Sequence, residues 1–256
     1  MSMGILLAAL LFQADAKADI ERSYKRIGQL KEQLSSMPDH ATDLYASKAS
    51  DLRVELATHD SLWVAYAVKK YRDVEYDVSS GGKSFGTLKL HSEFDVLSVV
   101  FKDSLSFEDK GGKHEGVITV RCGGTTSMPL ESASTTMDGR EKKLLVRDGK
   151  AVLDGETIDV APGTMAGYAF LRRMAFIQPK EGMSFQFDTF GFDGLRLEKG
   201  GVLKFIGKEK IKRGDVEIET DKWTTTVPGR EKPITFFFQD GLLLRLDSGT
   251  QVFEKK

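Results

Sequence analysis

A change in hydrophobic period at Asp73 constrains the fold of this chain more than any other feature. From there on, apolar side chains alternate with polar ones, beginning with Val74 and Tyr76. Alternation over short runs is typical of half-buried strands. Turn signals such as Gly81-Gly82 and Asp148-Gly149 separate these runs at intervals of about eight to twelve residues. The pattern therefore predicts an antiparallel meander.

One segment interrupts the meander and predicts a helix over about 164–176. Pro162-Gly163 breaks the preceding strand, and Thr164 is a residue type that caps helices. The predicted apolar stripe consists of Tyr168, Leu171, Met174 and Ala175. A single helix late in a meander indicates a strongly curved sheet wrapped on that helix, or an open barrel. The predicted fold class is α+β, with a curved antiparallel half-barrel over residues 73–256 around a central helix.

Residues 17–72 precede the strands and predict a helical hairpin. A first helix, 17–37, shows a 3.6-residue apolar period through Ile20, Tyr24, Ile27, Leu30 and Leu34. Pro38 ends it, because proline disfavours helix at the residue before it. A second helix is predicted over 41–58, and 62–71 forms either a third short helix or a strand. The apolar stripe of this appendage packs on its partner helix, on the β domain or on a second subunit.

The N-terminus has the pattern of a signal peptide over residues 1–16. An uninterrupted apolar run, Gly4–Phe12, precedes Ala14-Asp15-Ala16, an A-x-A cleavage pattern. The run is much shorter than the roughly 20 residues of a membrane-spanning helix. The pattern predicts export, with a periplasmic or secreted mature protein and no transmembrane segment; an N-terminal helix packed on the body is the alternative.

Charge and cysteine content exclude several classes of function. The net charge is −1, from 37 basic and 38 acidic residues that are interspersed along the chain. Nucleic-acid binding needs a concentrated cationic face, so no nucleic-acid partner is expected. With Cys122 as the single cysteine, the chain forms no intramolecular disulfide and no cysteine-rich metal site. That thiol follows a strand-like run and is interpreted as a small half-buried hydrophobe.

The sequence contains no convincing catalytic or metal-binding motif. The histidines His40, His59, His91 and His114 are scattered and form no H-E-x-x-H pattern. The pattern G-x-S-x-G occurs once, at residues 82–86, but it lies in a predicted hairpin and not at the strand-to-helix turn that a nucleophile elbow requires. Paired carboxylates such as Glu217 and Glu219 recur at period two, which is typical of a solvated strand face. A non-enzymatic protein without metal or cofactor is therefore expected, with an unrecognised hydrolase as a minor alternative.

Four segments of the β region resemble a known group of proteins. They are VEYDVSSGGKSFGTLKL (74–90), GYAFLRRM (167–174), FIGKEKI (205–211) and DGLLLRL (240–246). Together they resemble a bacterial family of exported proteins of unknown function whose fold is similar to the outer-membrane lipoprotein carriers. The resemblance covers about 73–256 and not 17–72. It implies a concave apolar surface and brings no catalytic residues with it.

Phenylalanine is concentrated in the second half of the chain and suggests where an apolar ligand binds. Some of these rings line a groove in a half-open sheet, and core packing is the alternative role. Phe236-Phe237-Phe238 cannot all face inward, because neighbouring side chains of a strand point to opposite faces. Arg172 and Arg173 are placed at the rim of the groove, facing an anionic head group or pairing with a neighbouring strand. The predicted ligand-binding residues are Tyr168, Leu171, Arg172, Arg173, Phe185, Phe187, Phe205, Phe236 and Phe238.

The function predicted from these features is binding of an apolar or amphipathic, lipid-like ligand by an exported protein. The alternative is a structural or protein-interaction module of the cell envelope that binds a protein partner through residues 17–72.

Overall fold

The computed structural model describes residues 16–38, 42–95, 98–192, 194–229 and 232–256. Within them the chain divides into two compact units. The smaller unit contains residues 16–67 with Gly124–Thr126, and the larger contains Val68–Gly123 with Ser127–Lys256. The predicted signal peptide, apart from Ala16, lies outside the described residues, as does His40.

The helices of the smaller unit are α1, Ala16–Ser35, and α2, Thr42–Lys70, whose last turn belongs to the larger unit. They contact each other where Ser23 Oγ donates to Glu55 Oε1 at 2.6 Å. The predicted stripe of α1 is buried at Ile20, Ile27 and Leu30, whereas Tyr24 is 68% exposed. No helix within the described residues has both the length and the hydrophobicity to cross a membrane.

Helix α2 replaces the helix predicted over 41–58 and the short helix or strand predicted over 62–71. The expected break does not occur, and the hydroxyls there bond within the helix instead of capping a new one. Thr58 Oγ1 donates to the Val54 carbonyl and Ser61 Oγ to the Ala57 carbonyl, both at 2.9 Å. Asp60, a residue type that often caps helices, instead accepts a hydrogen bond from the Thr126 backbone N–H at 3.0 Å.

The larger unit is built from one sheet, in which fifteen strands lie within the described residues. The strands are β1 Asp73–Ser80, β2 Lys83–Asp95, β3 Ser98–Asp109, β4 Gly112–Gly123, β5 Leu130–Met137, β6 Arg140–Arg147, β7 Lys150–Leu153, β8 Glu156–Asp159, β9 Met165–Ala166, β10 Ser184–Phe190, β11 Leu197–Arg213, β12 Val216–Thr226, β13 Ile234–Gln239, β14 Leu242–Asp247 and β15 Val252–Lys255.

The sheet consists of two meandering arms joined at its centre. Strand β1 pairs with β2 on one side and with β15 on the other. One arm runs outward from β1 to an edge at β8, and the other returns from an edge at β9 to β15. Every pairing among these strands is antiparallel except that of β9 with β10. The predicted curved antiparallel sheet is thus confirmed as a large, unclosed sheet.

The two sheet edges lie within reach of a short segment of chain. Only residues 160–164 separate the end of β8 from the start of β9, and this segment spans no more than about 22 Å when fully extended. The Thr135 hydroxyl on β5 also donates to the Phe192 carbonyl beyond β10, at 3.0 Å. The two arms therefore curve toward each other, which encloses a concave face.

The sequence pattern predicts short strands over 195–197 and 202–206 with a turn at Gly200-Gly201, whereas the structure has one continuous strand, β11, that begins at Leu197. The predicted turn at Gly200-Gly201 lies inside β11, opposite a shift in register between Phe187 and Thr189 on β10. The Gly200 N–H donates to Asp188 Oδ1 at 2.9 Å across this irregularity. A bulge absorbs one extra residue and bends the strand without ending it.

The predicted helix over 164–176 is shorter than expected. Helix α3 covers Ala169–Met174. The residues before the helix form other contacts. Met165–Ala166 forms strand β9 and pairs with β10, and Thr164 Oγ1 donates to the Ala161 carbonyl at 2.7 Å instead of capping the helix. After the helix, the Phe176 N–H bonds the Arg173 carbonyl in a tighter turn that ends it.

The main core lies on the concave face. Leu171 and Met174 of α3 pack there with aromatic and aliphatic residues of the central strands, including Trp223 and Phe236. Phe237 instead joins a separate cluster with Ile211 and Leu244 on the other face. This separation confirms the prediction that the three consecutive phenylalanines do not all face inward.

Two buried tyrosines form hydrogen bonds with the backbone N–H and carbonyl of Leu243, near the start of β14. Tyr71 Oη accepts from the Leu243 N–H and donates to the Gly241 carbonyl, both at 2.9 Å. Tyr76 Oη donates to the Leu243 carbonyl at 3.0 Å. Burial raises the pKa of both hydroxyls, so both keep their protons and remain donors.

Replacing Tyr71 by phenylalanine is expected to destabilise the protein by about 1–3 kcal/mol, because it removes a donor and an acceptor from buried backbone groups. Tyr76→Phe removes a single donor and should cost less. Urea unfolding followed by circular dichroism measures both. Tyr45→Phe, at a position 52% exposed, is the control and should change stability by no more than about 0.5 kcal/mol. Equal losses for Tyr71→Phe and Tyr45→Phe would contradict the assigned role.

Candidate functional site

The candidate site is an apolar cavity of about 550 Å³ in the larger unit. Its volume lies within the range of about 300–1,000 Å³ that is usual for small-molecule sites. Both arms of the sheet and the segment around α3 contribute to its wall. The lining residues are Leu105, Phe107, Met137, Gly167, Tyr168, Phe170, Phe187, Thr189, Phe190, Gly191, Phe192, Glu198, Thr225, Val227, Ile234, Phe236, Leu246, Ser248, Thr250, Gln251 and Phe253.

Aromatic rings form much of this wall and contact one another in defined geometries. Phe170 stacks on Phe187 with ring centroids 6.3 Å apart, and meets Phe236 edge-on at 5.4 Å. Tyr168 and Phe192 form a tilted pair at 5.8 Å. Such pairs contribute about 0.5–1.5 kcal/mol each beyond the burial of their surface, which favours this arrangement of the rings. The wall is therefore a pre-formed apolar surface.

The strand period places the lining side chains of each strand on the concave face. Leu105 and Phe107 are two residues apart on β3 and point to the same side. Phe187 has room for its ring because Gly201 lies opposite on β11, where an added Cβ atom would come within 2.7 Å of that ring. Any larger residue at position 201 would force the Phe187 ring to move.

The ionisable side chain of His114 packs against Phe107, one of the residues that line the cavity. The His114 ring stacks on Phe107, with centroids 4.9 Å apart. Its Nδ1 lies 2.9 Å from Asp138 Oδ2, and its Nε2 lies 3.2 Å from Asp109 Oδ1. The hydrogen bond to Asp138 raises the pKa of His114. His114 therefore connects the β3–β4 turn to the β5–β6 turn.

Arg172 is not at the rim of the cavity, where the sequence analysis placed it. Its side chain is fully buried, and its two Nη atoms face the two carboxylate oxygens of Asp103, at 2.9 and 2.5 Å. The remaining N–H groups reach the Ser92 hydroxyl and the carbonyls of His91 and Tyr168. All five guanidinium donors are thus engaged inside the protein. Arg172 joins α3 to β2 and β3 and has no donor left for a head group.

Three of the nine predicted site residues line the cavity: Tyr168, Phe187 and Phe236. Leu171 and Phe238 are buried in the adjoining core. Phe185 and Phe205 pack against Trp223, with centroid distances of 6.0 and 5.1 Å. The Arg173 Nη1 donates to the Gly163 carbonyl at 3.2 Å, away from the cavity. A binding role for the three lining residues remains a prediction.

Sequence reasoning missed the contribution of the first arm. Leu105, Phe107 and Met137 face the cavity from β3 and β5. Alternation in the sequence shows that Leu105 and Phe107 share a strand face. It does not show which distant strands they meet, because this depends on how far the sheet curves.

The comparisons with known proteins found structural similarity only. No protein-family model matches the chain, and no curated protein matches it. A β-barrel-like protein with a domain of unknown function (DUF1849) from Brucella abortus is similar over 72% of this chain and 94% of its own, with 10% identity and a TM-score of 0.46. A DUF1089 family protein from Pseudomonas aeruginosa is similar over 63% and 89%, with 12% identity and a TM-score of 0.39. With both TM-scores below 0.5, neither similarity carries a conclusion about function.

Proposed function

We propose that this protein is an exported, non-enzymatic carrier or receptor that binds an apolar or amphipathic, lipid-like ligand in its concave sheet. The observation that carries the proposal is the aromatic-lined cavity of about 550 Å³. Concave sites of this size, walled by aromatic side chains with a few polar groups, are the usual form of small-molecule sites. The apolar run and A-x-A pattern at the N-terminus support a periplasmic or secreted location.

In this proposal the larger unit works as a half-barrel like that of the lipoprotein carriers, with α3 as its plug. Leu171 and Met174 pack on the concave core, while Tyr168 and Phe170, on the same segment, line the cavity. The plug therefore fills only part of the concavity and leaves space for a ligand beside it.

The test is binding of N-phenylnaphthylamine, an uncharged probe whose fluorescence rises in apolar surroundings. We expect saturable binding by the wild-type protein. Ile234→Trp should weaken it by at least about tenfold, because Ile234 lines the cavity and a larger ring fills it. The matched control is Ile206→Trp on β11, which is 50% exposed and does not line the cavity. It should bind the probe like wild type.

Saturable binding that both tryptophan variants retain, or no binding at all, would overturn the proposal. Native mass spectrometry of protein purified from its own host gives an independent readout, namely a bound mass that Ile234→Trp lacks.

The protein-interaction alternative is favoured by exposed apolar side chains on α2. Leu44, Val54 and Leu56 are 53%, 63% and 44% exposed. A wild-type protein that binds no probe, but whose dimer in light scattering is lost on Leu44→Glu, would point to this function instead.

A further inference from the structure

Both ring nitrogens of His114 face carboxylates beside the cavity. Nδ1 lies 2.9 Å from Asp138 Oδ2, and Nε2 lies 3.2 Å from Asp109 Oδ1. An ionised carboxylate only accepts hydrogen bonds, and a neutral imidazole has a single N–H. The neutral ring therefore donates to one carboxylate and turns a lone pair toward the other. Only the imidazolium donates to both.

The two carboxylates are held in place by backbone groups. Asp109 Oδ1 accepts from the Gly111 N–H at 2.6 Å, and Asp138 Oδ1 accepts from the Glu115 N–H at 3.1 Å. The bond from Gly111 lowers the pKa of Asp109, and the bond from His114 lowers that of Asp138. Both carboxyls therefore stay charged between about pH 5 and 8, the range in which a histidine changes its charge.

The other charged side chains near His114 do not change the charge of this cluster in that range. Lys113 and Glu115 project from the opposite face of β4 and form an ion pair with each other. Glu108 lies opposite Lys113 on that same face, and Arg140 favours the charged form of Asp138. Glutamate, lysine and arginine side chains ordinarily keep their charge between about pH 5 and 8. A pH change in this range therefore acts on the cluster through the histidine.

The hydrogen bonds of His114 reach two residues of the cavity wall. Phe107 lies two positions before Asp109, and Met137 directly precedes Asp138. The imidazole ring also stacks on Phe107, its partner across the β3–β4 ladder. A protonated His114 therefore fixes the end of β3 relative to the end of β5, and with them this side of the wall.

We propose that the proton on His114 regulates ligand binding in the cavity. With the proton, the imidazolium joins the β3–β4 turn to the β5–β6 turn and holds Phe107 and Met137 in the binding arrangement. Without it, one of the two hydrogen bonds is lost and this side of the wall gains freedom, which binding must then remove at a cost in affinity. This inference rests on the proposed function and adds the regulation of its site.

The direction of the pH effect follows from the charge of the favoured form. The hydrogen bond to Asp138 raises the pKa of His114 above the ordinary histidine value of about 6.5. The contribution of the imidazolium is therefore complete below about pH 6.5 and is lost as the pH rises through the raised pKa. By linkage, a bound ligand in turn raises the pKa of His114 further.

The experiment is titration of the full chain with N-phenylnaphthylamine at about pH 5.5 and at about pH 9, where an ordinary histidine is charged and neutral respectively. Wild-type affinity should be about threefold lower at the higher pH, a size typical of one exposed ion pair. His114→Gln should bind equally at both pH values, with about the wild-type affinity of the higher pH. Asp138→Asn should also lose most of the pH effect, and asparagine suits the φ of +47° at this position.

His91→Gln is the matched control. His91 also lies between two carboxylates, with Nδ1 2.8 Å from Asp73 Oδ1 and Nε2 3.5 Å from Glu93 Oε2. The hydrogen bond to Asp73 raises its pKa as well. It follows the buried Leu90 on β2 and points to the opposite face, away from the cavity. The variant should keep the wild-type affinity at both pH values.

Equal wild-type affinity at the two pH values, or tighter binding at the higher one, would overturn the inference and leave the proposed function in place. A pH effect that His114→Gln retains, or that His91→Gln loses, would overturn it too. Proton NMR of the His114 ring is an independent readout: saturating probe should raise its pKa, and an unchanged pKa contradicts the coupling. Absence of probe binding to the wild-type protein at both pH values would remove the inference together with the proposed function.

Discussion

Asp103→Asn is expected to lower the free energy of unfolding by about 3–5 kcal/mol. The substitution leaves the Arg172 guanidinium fully buried beside a neutral amide, and both side chains of this pair have no exposed surface. Burial opposes ionisation of Asp103 and raises its pKa, while the guanidinium of Arg172 favours the charged form. The rings of Phe101 and Tyr71 lie 4.7 and 5.5 Å from the guanidinium and give it partial compensation only.

A double replacement separates the net contribution of the pair from the cost of breaking it. Asp103→Leu combined with Arg172→Met removes both charges and should recover much of the stability that Asp103→Asn loses. Unfolding in guanidinium chloride, followed by circular dichroism, is measured for the wild type, for Asp103→Leu, for Arg172→Met and for the double variant, which are the four corners of the cycle. The exposed pair Lys208–Glu219, at 2.8 Å, is the control. Lys208→Met should cost no more than about 1 kcal/mol, and a similarly small loss for Asp103→Asn would refute the assigned role.

Gly241→Ala is expected to destabilise the protein by more than about 2 kcal/mol. Gly241 has a φ of +73° in the β13–β14 turn, where a side chain costs about 1–2 kcal/mol. An added Cβ atom would also lie 2.5 Å from Ala175 Cα and 2.9 Å from the Met174 carbonyl oxygen. These are backbone atoms at the end of α3 and cannot rotate away, so the turn and the helix must move apart.

The matched control for this clash is Gly214→Ala. Gly214 has a φ of +60° in the β11–β12 turn, and nothing lies within 4 Å of its added Cβ atom. Gly214→Ala should lower the free energy of unfolding only by the cost of a side chain at positive φ, about 1–2 kcal/mol. Because α3 directly follows Tyr168 and contains Phe170, Gly241→Ala should also weaken N-phenylnaphthylamine binding, whereas Gly214→Ala should not. Thermal unfolding and probe titration check both effects, and indistinguishable variants would contradict the close contact.

The strands of this fold were largely predictable, because their information is local. Alternation from Val74 onward and dipeptides such as Asp148-Gly149 predict strands and turns within a few residues. The glycines at 200–201 predicted a turn and instead form part of a bulge in β11. Bulges and turns favour the same residue types, so the local sequence does not distinguish them. The helix after Pro38 is 29 residues long and continues past the predicted end at residue 58, where hydroxyl side chains bond within the helix instead of capping a new one.

The candidate site was harder to predict, because it depends on contacts between distant parts of the chain. Helical period placed Arg172 off the apolar stripe, and a charged residue there is usually exposed. Its partner Asp103 is 69 positions away in the sequence, and helical period carries no information about so distant a contact. Nothing in the sequence marks Thr225 as a residue that lines the cavity, because it is one of three consecutive threonines in a strand.

The two arms form one continuous sheet only after β15, the last strand in the chain order, has paired with β1. Ser79 and Val252, which pair there, are separated by 173 positions. During synthesis both arms emerge and form their local hairpins before β15 exists. Until it pairs, β1 and β14 each present an open edge at what will be the middle of the sheet, and open edges are templates for aggregation. The nascent protein is therefore most exposed to mispairing at the strands that are most protected once it has folded.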